Sequence, residues 1–267
     1  MMIHLNGELL AAAEARIDPA DRGLTLGDGL FETILARDAR PLRLDAHLRR
    51  LRRGAGILGL PLAFSDKSLE DSLLETLKSN SLSEGVLRLT LTRGPAPRGL
   101  APPADPRPTL LITAHQKTGA GGAPLNAVIA TVTRRNEHSP LCRCKCLNRL
   151  DDVLARKEAA ARGAGEAILL NAQGRVAEAA AANLFLVVNG ALTTPPVSEG
   201  ALPGVMRAEI MKTANVAERP LEPEEFFNAA EAFLTNSLGL RPLVSVDGKP
   251  IGDGRPGPLF ESLLKIV

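Results

Sequence analysis

A stretch near the middle of the chain, residues 115–124, constrains the fold more than any other feature. It reads HQKTGAGGAP, which combines glycine, a proline and polar side chains without a helical or strand period. Such a composition is typical of a linker. The sequence therefore predicts two domains, residues 1–114 and residues 125–267, and each is long enough to enclose a core of its own.

Both predicted domains mix strands with helices. In the first, Asn6-Gly7 predicts a hairpin turn, Asp45 is a predicted helix N-cap, and Ser65 or Asp66 is another. The predicted strands there are the hairpin 2–10 and residues 30–36, 86–92 and 108–114, and the predicted helices end near residues 58 and 79.

The second domain is predicted to contain three helices among short strands. A helix over residues 147–162 places Leu150, Leu154 and Ala161 on one apolar stripe. The other predicted helices are 205–214 and 258–266, and the predicted strands are 126–134, 167–170, 176–180, 184–188, 191–194, 232–235 and 243–246. The fold class expected from this alternation is α/β or α+β with mixed sheets.

Composition excludes several classes of function. The formal net charge is +2, so no strong field attracts nucleic acid or membrane, and Trp and Tyr, which form base-stacking platforms, are absent. No apolar run approaches the roughly 18 residues of a membrane span, and the first residues do not resemble a signal peptide. A cytoplasmic location is the resulting expectation.

The three cysteines, Cys142, Cys144 and Cys146, alternate along the chain. In an extended segment they share one face. Their spacing does not match the paired cysteines of a zinc site, and no metal is expected. They are predicted to pack as small apolar residues behind Lys145.

Lys145 and Glu178 are the candidate chemical groups. Lys145 stands among apolar neighbours, which suits an amine that bonds covalently to an aldehyde, although a solvated surface lysine is the ordinary alternative. Glu178 is a lone charge in an alanine-rich stretch. If buried it needs a partner such as a protonated pyridinium nitrogen, and if it lies at a strand edge it faces water. With a helix N-terminus that could hold a phosphate, the two residues would suit pyridoxal phosphate (PLP).

A phosphate group needs donors and positive charge. Gly204-Val205-Met206 at a predicted helix start offers backbone N–H groups and the positive end of the helix dipole, and Thr235-Asn236-Ser237 adds hydroxyls. An arginine could add a bidentate contact. The spacing does not choose among the four candidates on the first helix, which are Arg49, Arg50, Arg52 and Arg53.

These motifs together resemble the class IV aminotransferases, also called fold-type IV PLP enzymes. The resemblance runs from Leu5-Asn6-Gly7 to Arg241-Pro242-Leu243. Its motifs are Gly27-Asp28-Gly29-Leu30-Phe31-Glu32, His47-Leu48-Arg49-Arg50-Leu51, Lys145 with Asn148 and Arg149, Glu178 with Asn183-Leu184-Phe185, Leu202-Pro203-Gly204, and Thr235-Asn236-Ser237.

The resemblance implies two α/β domains with the cofactor between them, and a homodimer. It implies Lys145 as the catalytic lysine that forms the Schiff base, and Glu178 as the partner of the ring nitrogen. It also selects the phosphate contacts, which are Arg50, Val205, Met206 and Ser237.

Within this family, local features favour 4-amino-4-deoxychorismate lyase, which releases pyruvate and 4-aminobenzoate for folate synthesis. The stretches 145–150 and 235–242 resemble lyases, and 267 residues is short for a branched-chain aminotransferase. The alternative is an aminotransferase for branched-chain amino acids, D-amino acids or amines. Arg98 resembles a clamp for the substrate carboxylate, and a solvated loop arginine is its alternative. Phe31 and Leu100 stand where D-amino-acid enzymes place a tyrosine and a histidine, so Phe31 is expected to contact substrate without donating a hydrogen bond.

Overall fold

The computed structural model describes residues 1–117 and 122–264. The chain forms two compact units, Met1–Gly119 with Cys144–Asn148, and Ala120–Arg143 with Arg149–Val267. Residues 118–121 of the predicted linker lie outside the described residues, as do residues 265–266 of the predicted last helix. The boundary at residues 115–124 stays a prediction. The segment Cys144–Asn148, which the sequence assigned to the second domain, packs with the first unit.

The first unit is built on a six-stranded sheet. Its strands are β1 (Met2–Leu5), β2 (Glu8–Ala11), β3 (Gly29–Arg37), β4 (Arg40–Pro41), β5 (Gly85–Thr92) and β6 (Thr109–Gln116). The order is β2-β1-β6-β5-β3-β4, and neighbouring strands run antiparallel. The predicted hairpin turn is confirmed, since Asn6 and Gly7 both have positive φ between β1 and β2.

Three helices accompany this sheet: α1 (Arg22–Leu26), α2 (Leu44–Leu58) and α3 (Asp66–Ser79). Ser65 caps α3 by accepting a hydrogen bond from Ser68 N, as predicted. The predicted Asp45 cap of α2 is wrong, because the helix starts at Leu44 and its N-cap is Arg43, in a left-handed conformation. Asp45 instead lies in the first turn, where its charge suits the helix dipole.

The core of the first unit lies on one face of its sheet. Alternate residues of β3, β5 and β6 pack there against α2 and α3; they include Leu30, Ile34, Leu87, Leu89, Leu91, Leu110 and Ile112 from the strands and Leu48, Leu51, Leu69, Leu73 and Leu77 from the helices. Because side chains alternate along a strand, Phe31 and Thr33 of β3 and Arg88 and Thr90 of β5 project from the opposite face.

The second unit contains a nine-stranded mixed sheet. Its strands are β7 (Leu125–Ile129), β8 (Glu166–Leu170), β9 (Val176–Ala179), β10 (Asn183–Val188), β11 (Ala191–Thr194), β12 (Val216–Glu218), β13 (Ala229–Asn236), β14 (Gly239–Val246) and β15 (Lys249–Pro250). The order is β12-β11-β10-β13-β14-β7-β8-β9, with β15 beside β14, and β7 runs parallel to both of its neighbours. The helices are α4 (Leu150–Ala161), α5 (Val205–Thr213) and α6 (Pro258–Leu264). The predicted mixed sheets with helices are confirmed.

Two predictions in this unit are wrong in extent. The strand predicted over residues 126–134 ends at Ile129, because the N–H groups of Thr131 and Val132 turn to the carboxylate of Glu158. The helix predicted from residue 147 begins at Leu150, because the preceding residues are extended.

The leucines of the predicted apolar stripe of α4 face solvent. Leu150 is 76% exposed and Leu154 is 44% exposed. Ala155 and Ala159 are buried instead, in a cluster with Ala167 of β8, where small side chains let the helix lie close to the sheet. Within the part of the chain that the structure describes, every helix is too short or too polar to cross a membrane.

Candidate active site

The backbone of Lys145 is fixed against β3. Phe31 N donates to Lys145 O at 2.9 Å, and Leu147 N donates to Gly29 O at 3.0 Å, so the lysine lies in a short extended segment beside the start of the strand. Gly29 permits this approach, because a Cβ there would lie 2.8 Å from Leu147 Cδ1 and 2.5 Å from the carbonyl oxygen of Leu91. Lys145 Nζ lies 4.6 Å from the centroid of the Phe31 ring. The structure thus brings two predicted site residues together.

The cysteines around the lysine take two different positions. Cys144 and Cys146 are buried in the core of the first unit, which confirms the predicted packing for these two residues. Cys142 lies in a 3₁₀ helix, Pro140–Arg143, and not in the extended segment. The prediction that all three share one face is therefore wrong, because the backbone changes conformation between Cys142 and Cys144.

Arg50 is held by a buried ionic cluster beneath β3. Its Nε and Nη2 donate to the two carboxylate oxygens of Glu32 at 2.8 and 2.6 Å, and His47 Nδ1 lies 2.7 Å from Glu32 Oε2. Burial disfavours the charge of Glu32, but the hydrogen bonds and charge of Arg50, with the hydrogen bond of His47, outweigh it and hold the pKa of Glu32 below its usual range. Glu32 is therefore an ionised acceptor that orients the Arg50 guanidinium.

His47 in this cluster is neutral near pH 7. Burial lowers its pKa, the hydrogen bond and charge of Glu32 oppose that effect, and the positive charges of Arg50 and Lys145 add to it. Because Glu32 is ionised, the neutral ring donates through Nδ1. Glu32 and His47 belong to motifs named above, but the sequence assigned neither residue a role of its own. A lone carboxylate among apolar residues of β3 was the available signal.

Arg98 lies exposed on the loop after β5. It lines a pocket of the first unit with Pro19, Ala20, Arg22, Thr25, Leu26, Ala96, Pro97, Gly99 and Leu100. Arg22 fixes this loop, because its guanidinium donates to the carbonyl oxygens of Gly99 and Leu100 at 2.9 Å each and to Asp28 at 2.8 Å. The role predicted for Arg98 stays a prediction.

Glu178 is buried in β9 of the second unit, 3% exposed. Its Oε2 accepts hydrogen bonds from Leu202 N at 3.0 Å and Asn183 Nδ2 at 3.3 Å, and its Oε1 lies 2.9 Å from Arg135 Nη2. Burial raises the pKa of Glu178, and the positive charge of Arg135 only partly opposes it. No role was predicted for Arg135, because an arginine that follows a strand is usually solvated at the protein surface.

The start of α5 lies near Asn183, and its N-cap residue makes no side-chain hydrogen bond to the helix. No side chain caps the helix, and Gly204 occupies the N-cap, where a Cβ would lie 1.9 Å from Asn183 Oδ1. The predicted phosphate contacts Val205 and Met206 are its first two residues, so their N–H groups have no carbonyl partner within the helix. Ser237, the third predicted contact, lies in the turn after β13, two residues beyond Thr235, which pairs with Asn183 in the sheet.

Two buried oxygen atoms of the second unit fit a cofactor with a protonated ring nitrogen and a phosphate. Among residues 1–117 and 122–264, Thr235 Oγ1 forms no hydrogen bond, and Glu178 Oε1 has the ion pair with Arg135 at 2.9 Å but no hydrogen bond. A buried polar atom without a hydrogen bond is costly, so a ligand that supplies one is favoured. A ring N–H suits Glu178 Oε1, and an anion suits the bare start of α5.

Comparison with known proteins agrees with this geometry. The sequence profile described as amino-transferase class IV matches residues 29–246. The chain belongs to the class IV aminotransferase family. The predictions of family, of fold and of a PLP-dependent enzyme are thereby confirmed.

Two curated relatives match over nearly the whole chain. One, from Methanocaldococcus jannaschii, is provisionally named a branched-chain-amino-acid aminotransferase and is 33% identical, with 98% of this chain and 94% of the relative covered. The other is the D-alanine aminotransferase of Bacillus licheniformis, 31% identical with the same coverage.

Solved structures of this aminotransferase family share the fold. The Escherichia coli branched-chain amino acid aminotransferase matches with a TM-score of 0.93 and 29% identity over 98% of this chain and 91% of its own. The T.th. branched-chain enzyme with pyridoxamine 5'-phosphate matches with a TM-score of 0.93 and 25% identity over 99% and 92%. A Legionella pneumophila protein provisionally assigned as a 4-amino-4-deoxychorismate lyase matches with a TM-score of 0.87 and 30% identity over 96% and 95%.

Proposed function

We propose that this family member is an aminotransferase that moves an amino group from an amino acid to a keto acid. The observation that carries the proposal is Lys145, which backbone hydrogen bonds fix beside Phe31. A covalent cofactor needs an amine in a fixed place, and curated relatives aligned over 98% of this chain are named aminotransferases.

Each predicted residue has a chemical task in this proposal. PLP, when bound, supplies an aldehyde for the amino group and a ring that withdraws electrons. Lys145 Nζ would hold the cofactor covalently and, as general base and general acid, would move the proton of the substrate α-carbon. Glu178 Oε1 holds the proton on the ring nitrogen, and this requires the carboxylate form despite its raised pKa.

The phosphate contacts form the second part of the proposal. The N–H groups of Val205 and Met206 and the hydroxyl of Ser237 donate to the phosphate, and Arg50, oriented by Glu32, supplies positive charge. These hydrogen bonds fix the orientation of the cofactor, so that the proton transfers of Lys145 occur at one defined atom.

The lyase is the second candidate, although the sequence alone favoured it. One structural neighbour, 30% identical, carries that provisional assignment. The aminotransferases among the relatives match as much of the chain or more, and they include enzymes for two substrate classes. We therefore place the aminotransferase first, with a branched-chain or D-amino acid as donor.

The experiment starts with the purified holoenzyme. We expect borohydride reduction to attach the cofactor to the peptide that contains Lys145, as read by mass spectrometry, and Lys145→Ala to abolish the attachment. Lys212→Ala, a lysine exposed on α5 and paired with Glu209, is the matched control and should keep it. Failure of the wild-type protein to retain any cofactor would overturn the proposal.

Substrate class is then decided by two parallel assays. D-alanine and L-leucine are each offered with 2-oxoglutarate, and glutamate formation is followed. 4-Amino-4-deoxychorismate is offered alone, and 4-aminobenzoate and pyruvate are followed. Glutamate formation supports the aminotransferase, whereas release of 4-aminobenzoate with no transamination establishes the lyase instead.

We also propose that the protein is a homodimer that contacts its copy through α4. Leu150, Val153 and Leu154 form one apolar stripe on this helix and are 76%, 57% and 44% exposed. Light scattering coupled to size exclusion should show a dimer, and Leu154→Glu should shift it to the monomer. Ile57→Glu, an apolar surface position on α2, should leave the dimer intact. A monomeric wild-type protein would refute this assembly.

A further inference from the structure

One buried asparagine contacts both ends of the region proposed to hold the cofactor. Asn183 is the first residue of β10 and is 5% exposed. Its Nδ2 donates to Glu178 Oε2 at 3.3 Å and to the carbonyl oxygen of Leu202 at 2.8 Å. Leu202 lies just before α5 along the chain. A single side chain therefore bonds the carboxylate proposed for the ring nitrogen and the segment that leads to the helix start proposed for the phosphate.

A third hydrogen bond closes this group. Leu202 N donates to the same carboxylate oxygen, Glu178 Oε2, at 3.0 Å. Leu202 is thus bonded through its N–H to Glu178 and through its C=O to Asn183. In a closed set of buried hydrogen bonds, displacing one member weakens the bonds of the others. The position of Glu178 is therefore linked to the path of the chain into α5.

The Asn183 amide explains why residue 204 is a glycine. The backbone of Gly204 is extended, with φ −69° and ψ 139°, which is a conformation that other residues adopt without strain. A Cβ at this position would lie 1.9 Å from Asn183 Oδ1 and 3.1 Å from Asn183 Cγ. The glycine lets the amide fit against the N-cap of α5. Asn183 therefore packs on the helix start itself as well as bonding the segment before it.

An amide is the side chain that these contacts require. Asparagine Nδ2 carries two N–H groups, so one atom donates to a carboxylate and to a carbonyl together, whereas a leucine of similar size has no donor. The sheet holds this amide in place, because β10 lies between β11 and β13 and Asn183 is paired with Thr235 of β13. A side chain on an interior strand is positioned more firmly than one on a loop.

The same hydrogen bonds favour the charge that the proposed reaction needs. Burial raises the pKa of Glu178. Hydrogen bonds donated to a carboxylate favour its ionised form, and Asn183 and Leu202 both donate to Oε2, while Arg135 is paired with Oε1. The ionised form is the one that accepts a hydrogen bond from a protonated ring nitrogen. Asn183 thus supports both the position and the charge of Glu178.

We propose that Asn183 is a positioning residue that couples the two ends of the cofactor site, the Glu178 carboxylate and the start of α5. The inference rests on the proposed function and names the residue that sets the separation of the two groups. Asn183 acts through these neighbours. Loss of its amide therefore weakens binding at the ring end and at the phosphate end together.

The test measures the two ends separately in the full-length apoenzyme. Pyridoxal, which lacks the phosphate, probes the ring end, and inorganic phosphate probes the start of α5. We expect Asn183→Ala to weaken each of these ligands about 3- to 10-fold in calorimetric titrations, and PLP, which contacts both ends, about 10- to 100-fold. Gly204→Ala displaces the amide from the helix side and should also weaken pyridoxal, although residue 204 lies at the phosphate end.

A spectroscopic measurement separates positioning from a purely structural role. The holoenzyme is prepared with PLP that carries nitrogen-15 in its ring, and the NMR signal of the ring nitrogen is recorded. In Asn183→Ala this signal should move from the position of a protonated ring toward that of a neutral ring, because Glu178 loses a hydrogen-bond donor. A residue that only stabilised the fold would leave the signal unchanged.

Asn80→Ala is the matched control. Its amide nitrogen also donates to two acceptors, the carbonyl oxygens of Met2 and Thr76 at 2.7 and 2.8 Å, but in the first unit. This variant should bind pyridoxal, phosphate and PLP as the wild type does. Wild-type affinity of Asn183→Ala for either pyridoxal or phosphate overturns the coupling, and so does wild-type affinity of Gly204→Ala for pyridoxal or an unchanged nitrogen-15 signal.

The two proposals can fail separately. If the enzyme transaminates but Asn183→Ala and Gly204→Ala bind pyridoxal as the wild type does, the inference fails and the function stands. If no transamination occurs but Asn183→Ala weakens pyridoxal and phosphate together, the function fails and the inference stands. Circular dichroism melting shows whether each variant is folded, and the Gly204→Ala result decides the coupling if Asn183→Ala is not.

Discussion

Replacing Glu32 with glutamine tests the buried cluster that orients Arg50. The change keeps the shape of the side chain but removes its negative charge. It leaves the Arg50 cation, 8% exposed, beside a neutral amide, and one of the two contacts at 2.8 and 2.6 Å then faces an NH2 group instead of an oxygen. Burying a charge without its counter-charge is among the largest single costs that a substitution can impose.

The expected loss in the free energy of unfolding is about 3–5 kcal/mol, the usual cost of breaking a buried ion pair by removing one partner. The matched control is Glu75→Gln. Its partner is His4 at 3.4 Å, but the Glu75 side chain is 53% exposed, so the expected loss is about 0–1 kcal/mol. Adding Arg50→Met to Glu32→Gln should recover roughly half of the loss, because the buried cation that lost its carboxylate is then gone.

The effect of Glu32 should depend on pH. The folded state holds the pKa of Glu32 below its ordinary value of 4.5. A carboxylate with a lowered pKa contributes stability at pH values above the unfolded pKa, and this contribution is lost as pH falls through the folded pKa. The difference between wild type and Glu32→Gln should therefore be constant from pH 6 to 8 and shrink as the pH falls below about 4.

Urea unfolding followed by far-ultraviolet circular dichroism measures these differences, since the chain has no Trp and no Tyr for fluorescence. A loss for Glu32→Gln that is as small as that for Glu75→Gln would refute the reasoning. The reasoning would also be refuted if adding Arg50→Met lowered the free energy of unfolding below that of Glu32→Gln alone, as an independent buried substitution would.

Three further predictions follow from the same contacts. Glu178→Gln should retain the cofactor, as judged by absorbance, and lower kcat by on the order of 10²- to 10⁴-fold, because a neutral amide does not hold the ring proton. An unchanged kcat would show that Glu178 takes no part in the reaction. Gly204→Ala should weaken cofactor binding about tenfold in an absorbance titration, because the added Cβ would lie 1.9 Å from Asn183 Oδ1 and displace the side chain that contacts Glu178. Equal cofactor affinity of the variant and the wild type would contradict this prediction. Gly29→Ala should lower the free energy of unfolding by about 1–3 kcal/mol in urea, because its Cβ meets the Leu91 carbonyl at 2.5 Å, whereas Gly56→Ala, which meets nothing within 4 Å, should not.

Local signals in the sequence predicted the elements they encode. The Asn6-Gly7 turn and the Ser65 cap depend on neighbouring residues only, and both are found where expected. The Asp45 cap was wrong because Arg43 takes a left-handed conformation that few residues of its type adopt. The leucines of the predicted stripe on α4 lie exposed, and alanines face the sheet instead.

Some residues of the candidate site could be predicted from local sequence, and others could not. Lys145 and Glu178 stand out as charges in apolar stretches, and the structure shows one beside Phe31 and the other buried. Arg135 could not be selected, because its partner, Glu178, lies far along the chain. Backbone pairing of Lys145 with β3 likewise joins residues more than a hundred positions apart, which no periodicity reveals.

The placement of Cys144–Asn148 has a consequence for how the protein folds during synthesis and how it can be divided into fragments. This segment belongs to the first unit, although the chain before and after it belongs to the second. During synthesis the edge of β3 at Gly29 and Phe31 stays open until residue 148 has emerged, so the first unit cannot finish folding when its own continuous stretch ends. A fragment that stopped at residue 117 would lack the extended segment that carries Lys145. The complementary fragment would carry that segment without β3, its hydrogen-bonding partner.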